Sequence, residues 1–137
     1  MEASSHGSSL TDAQWETLAD AAWAVRGHAR IHGATQVGAA VLSAEREIFV
    51  GCNVEHRFRS HDVHAEVNAL TAMVSAGQSR AVAVLIVSER ERFTPCGGCL
   101  DWIFELGGPE CLVGFQGARG ASREVLRADE LMPHYPR

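Results

Sequence analysis

Seven consecutive residues, Ala81-Val82-Ala83-Val84-Leu85-Ile86-Val87, carry no polar side chain. An apolar run this short and unbroken, rich in β-branched residues, reads as a strand covered on both faces. The segments around it alternate between helical and strand-like patterns. Thr11 and Gln14 have capping-box spacing ahead of Leu18, Ala22 and Val25, which predicts a helix as far as about His32, with Gly33 as its stop. Gln36 to Ser43 and Glu47 to Asn53 flank a polar turn and read as a β-hairpin. Glu55 to Asp62 reads as a loop, and His64 to Ala76 as a helix carrying Val67, Leu70, Ala72 and Met73 on its apolar face. Beyond the apolar run, a helix from Cys96 to Leu106 stops at Gly107-Gly108-Pro109. Strands follow at Cys111 to Phe115 and, more weakly, Arg123 to Leu126, and then a last helical turn at Ala128 to Leu131. Strands alternating with helices indicate an α/β sandwich around one mixed sheet.

The 137 residues, 46% of them hydrophobic, are enough for one domain with a real core. The Ser-rich residues 1–9 are expected to be a disordered leader, leaving 10–137 as the domain. The net charge of −5 disfavours a nucleic-acid partner, because neutralising a phosphate backbone needs a basic surface. No basic-then-apolar signal precedes the fold and no apolar run is long enough to span a bilayer, so a cytoplasmic protein without a membrane partner is expected. In a reducing compartment, the close pair among Cys52, Cys96, Cys99 and Cys111 reads as a metal or catalytic site before it reads as a disulfide.

The chemistry is concentrated in His64-Ala65-Glu66 and Pro95-Cys96-Gly97-Gly98-Cys99, each placed where a helix is predicted to begin. Cys96 and Cys99 fall on one face of a first helical turn, and helix N-termini favour thiolates. With His64 from the neighbouring helix they make three ligands for a tetrahedral Zn2+, one ion per chain, with a fourth position open to water. Such an ion lowers the pKa of bound water from about 15.7 to about 7. Glu66, two residues past His64, is suited to carry the proton from that water to a ring nitrogen and a departing amine. Two other readings stay open on these residues. Cys96 and Cys99 could form a redox pair, or they could hold a closed structural zinc completed by Cys52, Cys111 or His61 in a binding module with no enzymatic role. Cys52 and Cys111, both in predicted strands, read as small buried hydrophobes.

A His-x-Glu element followed by Pro-Cys-x-x-Cys is the signature of zinc deaminases, and the chain resembles the cytidine deaminase superfamily, in particular its short-chain branch. That resemblance implies a three-layer α/β/α sandwich around a five-stranded mixed sheet. It also implies a homotetramer, or failing that a homodimer, acting hydrolytically on a free aminopyrimidine nucleoside such as cytidine or deoxycytidine. Val37-Gly38-Ala39-Ala40 and Gly51-Cys52-Asn53-Val54-Glu55 are similar to the family's substrate hairpin, which assigns Asn53 and Glu55 to the ribose hydroxyls. The same resemblance gives the backbone N–H groups of Ala65 and Cys96 and the carbonyl of Thr94 to the base and its amine.

Three departures bear on the substrate. His64 and Val67 stand where short-chain members usually have Cys and Arg. These changes agree with each other, since one imidazole and two thiolates balance a divalent ion without a compensating cation. Thr35 replaces a usual aromatic wall. The segment His56-Arg57-Phe58-Arg59-Ser60 is also unlike the family's, and Phe58 is the candidate for stacking in place of the lost wall, the alternative being that it packs on its own domain. Blasticidin S-type nucleosides, deoxycytidylate and guanine remain as other amino-heterocycle substrates, with the nucleotide disfavoured by the charge of Glu55.

Overall fold

In the computed structural model, which describes residues 9–90 and 94–136, the apolar run becomes β3 (Ala81–Val87), the middle strand of five. The other strands are β1 (Gly38–Ser43), β2 (Ile48–Cys52), β4 (Leu112–Gln116) and β5 (Arg123–Arg127), in the spatial order β2-β1-β3-β4-β5. Only β3 and β4 run parallel, and the remaining neighbours are antiparallel. The sheet is therefore mixed. The expected leader, residues 1–9, lies outside the described residues except for Ser9.

Helices cover both faces, which is why β3 needs apolar side chains in both directions. Ala83, Leu85 and Val87 face a core built with Trp15, Leu18, Ala19 and Ala22 of α1 (Asp12–Arg26). Val84 and Ile86 face the opposite core, which holds Ala69, Leu70 and Met73 of α2 (Ala65–Ser75) and Leu100, Ile103 and Phe104 of α3 (Gly97–Gly107). A short α4 (Ala128–Leu131) closes this second layer through Ala128. The three-layer α/β/α arrangement is thus set by the two apolar faces of one strand.

α1 starts as its sequence dictates. The Thr11 hydroxyl accepts from Gln14 N–H at 3.1 Å, and the Gln14 side chain accepts in return from Thr11 N–H at 2.8 Å. It ends earlier than the sequence suggests, at Arg26 with Gly27 as C-cap, and residues 28–32 are not helical. The reason is tertiary: Arg30 N–H donates to the Asn53 carbonyl at 3.1 Å and the Arg30 carbonyl accepts from Glu55 N–H at 2.7 Å. Two glycines let the layers close. A Cβ on Gly38 would lie 2.1 Å from the Ala22 carbonyl oxygen of α1, and one on Gly51 would lie 2.5 Å from the Ala69 nitrogen of α2.

Candidate active site

Both chemical motifs sit at helix N-termini. His64 is the N-cap of α2, in an extended conformation, with its side chain free of any capping bond. Cys96 is the N-cap of α3, where its sulfur accepts from Cys99 N–H at 3.4 Å. The two helices bring three donors together: His64 Nδ1 is 3.1 Å from Cys99 Sγ and 3.5 Å from Cys96 Sγ, and the two sulfurs are 3.4 Å apart. A tetrahedral zinc, about 2.3 Å from sulfur and about 2.0 Å from nitrogen, wants its donors roughly 3.5 Å apart. The residues present fit that ion. Among the described residues, no other His, Cys, Asp or Glu joins this group. Cys52 and Cys111 are buried elsewhere, Cys111 against Gly107.

A soft cation also answers an electrostatic problem at this point. Burial pushes the Cys99 thiol up strongly, and the carboxyl of Glu66 beside it pushes the same way. Only a positive charge at the sulfurs makes two thiolates favourable there. Glu66 itself is 3% exposed, and burial raises its carboxyl above the usual range, opposed by its own backbone N–H, His64 and Cys99. A buried acid with a raised pKa facing a cleft is suited to exchanging protons with a ligand bound there.

His64, Cys96 and Glu66 open on a cleft of about 450 Å3, large enough for a small ring and a sugar, with Cys99 buried behind them. Thr35, Val37, Val63, Ala65, Thr94 and Cys96 line it, so the backbone positions expected to hold a base are in place. Asn53 and Glu55 line it too, with half of the Asn53 amide's hydrogen-bonding capacity and most of the Glu55 carboxylate's taken up by the protein. Asn53 Oδ1 accepts from Val37 N–H at 2.9 Å, and its amide donates to the Thr35 carbonyl at 2.9 Å, so this side chain ties together two residues that line the cleft. Glu55 Oε1 accepts from the N–H groups of His32 and Gly33, and these two bonds, ahead of the charge of Arg59, hold its carboxyl below the ordinary range.

Phe58 does not do what was expected of it. It is 57% exposed, stacks on His56 with ring centroids 5.6 Å apart, has the Arg57 guanidinium over its face, and does not line the cleft. The 3₁₀ turn Arg59–His61 that follows Phe58 sends Arg59 and Asp62 into the cleft and leaves Phe58 outside with His56 and His61. Arg59, Asp62 and Arg90 are cleft residues that sequence reasoning missed. A signal existed for two of them. Glu55, Arg59 and Asp62 stand at i, i+4 and i+7, the spacing of charges that can pair within one turn-rich segment.

Comparison with known proteins agrees with this geometry. Residues 12–115 match the family described as the cytidine and deoxycytidylate deaminase zinc-binding region. A Halalkalibacterium halodurans protein named cytidine deaminase is 31% identical over 99 residues, which is 72% of this chain and 74% of that one. A Dictyostelium discoideum protein named probable cytidine deaminase is 36% identical over 74 residues, 53% of this chain and 50% of its own length. The crystal structure of cytidine deaminase from Burkholderia pseudomallei superposes with a TM-score of 0.81 at 30% identity, covering 91% of this chain and 98% of that one.

Proposed function

This chain belongs to the family of the cytidine and deoxycytidylate deaminase zinc-binding region, and from that membership we propose that it hydrolyses cytidine or deoxycytidine to the uracil nucleoside and ammonia. The observation that carries the reading is the convergence of His64 Nδ1, Cys96 Sγ and Cys99 Sγ at one end of a cleft that also holds a buried Glu66. A zinc ion held by those three atoms supplies the positive charge that acidifies a water molecule.

The remaining steps fall to side chains and backbone. Glu66 takes the proton from the water and delivers it to the ring nitrogen next to the amino-bearing carbon, and a second proton passes by the same carboxylate to the leaving amine. Each proton it gives is one it has accepted, so the carboxylate is restored at the end of the cycle. The Ala65 and Cys96 N–H groups and the Thr94 carbonyl hold the base so that the amine faces Glu66. Asn53 keeps Thr35 and Val37 in place as the wall along the ring, and Glu55 lies toward the sugar.

The working unit is read as residues 10–137 in a cytoplasmic homotetramer, acting on a small molecule and on no nucleic acid. Exposed Val74 and Trp102 support self-association, and no described helix is long and apolar enough to cross a membrane. The test is ammonia release from cytidine, deoxycytidine, deoxycytidylate, guanine and blasticidin S by the zinc-loaded protein. Release from cytidine or deoxycytidine ahead of the other three is expected. Turnover of guanine or deoxycytidylate alone, or of none of the five, overturns the proposal.

A further inference from the structure

Glu55 has most of its acceptor capacity filled before any ligand arrives. Oε1 accepts from His32 N–H at 2.7 Å and Gly33 N–H at 2.8 Å, which uses both of its lone pairs. Oε2 is paired with Arg59 Nη2 at 3.0 Å, and one acceptor position remains. Arg59 is held by a second carboxylate as well: Nε donates to Asp62 Oδ2 at 2.8 Å, while Asp62 Oδ1 accepts from His56 N–H at 2.7 Å. The guanidinium is thereby fixed in the cleft by two carboxylates, with N–H donors left over on Nη1 and Nη2.

We propose that Arg59 is a specificity-determining residue that reads the sugar together with Glu55. The pair offers one acceptor beside a set of fixed donors, which complements two neighbouring hydroxyls: one donates to Glu55 Oε2 and the other accepts from the Arg59 guanidinium. A ribonucleoside has such a pair of hydroxyls. A 2′-deoxynucleoside keeps one of them and leaves the guanidinium donor without a partner. Because the Arg59 side chain is 54% exposed, water replaces part of the lost bond, and the preference is about tenfold where a sealed site would give far more. This inference rests on the nucleoside reading above, but it concerns affinity and can be tested apart from turnover.

The experiment is equilibrium binding of cytidine and 2′-deoxycytidine to the zinc-loaded full-length protein in a Glu66→Gln background, where neither ligand is consumed. Ammonia release is followed in parallel with Glu66 intact, and wild-type Arg59 is compared with its variants in both backgrounds. The wild type is expected to bind cytidine about tenfold more tightly. Arg59→Leu, which removes every donor and frees Glu55, is expected to bring the two affinities to within about twofold of each other. Arg59→Lys, with a single-point donor in place of a fork, should keep an intermediate ratio. Arg57→Ala, on the outer side of the same loop, should keep the wild-type ratio. A loss of structure alone weakens both ligands together and leaves their ratio unmoved, so the ratio separates reading from bracing. If Arg59→Leu does not fold, the Arg59→Lys ratio decides. A wild-type ratio near one, an unchanged ratio in the Arg59 variants, or no binding of either nucleoside overturns the assignment. A preserved, Arg59-dependent ratio with no ammonia released from either ligand leaves it standing and sinks the deamination reading instead.

Discussion

At the scale of single residues, Glu66 carries the heaviest load, because among the described residues it is the one buried carboxyl beside the three metal donors. Its neighbours are nitrogen and sulfur donors that hold a cation, so its own work is to move protons. Glu66→Gln keeps the shape of the position and one acceptor oxygen while removing the exchangeable proton and charge. The variant is expected to hold one zinc per chain and to lose turnover by about a thousandfold or more. Metal content measured beside single-turnover ammonia release checks both halves, and retained activity would remove Glu66 from the role. The motif residues were legible because metal ligation demands particular residue types at particular spacings. Arg59 and Asp62 were legible only in their spacing from Glu55, since an arginine and an aspartate in a polar loop look like solvated charge until the chain is folded around them. Phe58 was misread for the opposite reason. An aromatic ring near a site looks like a stacking wall, but the turn at Arg59–His61 rotates it outward.

At the scale of elements, the site depends on how closely α2 seats on β2. Gly51 is the contact point: an added Cβ would meet the Ala69 nitrogen at 2.5 Å and Asn68 Cβ at 2.7 Å, with helix backbone directly in the way. Gly51→Ala must therefore lift α2, moving His64 and Glu66 while Cys96 and Cys99 stay on α3. Overpacking of this kind costs about 1–3 kcal/mol, which urea unfolding reads directly. Zinc affinity, read by competition with a chelator, should fall with it. A variant as stable and as tight as wild type would show that α2 can slide without consequence. The same coupling explains what the sequence did and did not disclose about the elements. β3, the hairpin and the helix starts follow from local period and capping, and they appear within two residues of expectation. The end of α1 does not, because residues 28–32 are claimed by Asn53 and Glu55, far along the chain, and local helical propensity has no knowledge of that pairing.

At the scale of the whole molecule, the question is whether the metal holds the fold or the fold holds the metal. Two apolar cores, one on each face of the sheet, are complete without the metal donors apart from the capping turns of α2 and α3. Small zinc domains that lack such cores unfold when the ion is removed; this chain has the opposite construction. Chelation is therefore expected to leave the far-ultraviolet circular dichroism at 25 °C unchanged while lowering the melting temperature. An ion present at about a thousand times its dissociation constant stabilises the folded state by about 4 kcal/mol. For a domain of this length that corresponds to a fall on the order of 10 °C. The loss should be smaller in Cys96→Ser, where the ion is already weakly held, and re-adding zinc should restore it in the wild type. Collapse of the secondary structure on chelation would make the ion part of the scaffold. It would return the closed structural site to contention, since a site that must be filled for the chain to fold has no reason to keep a position open for water.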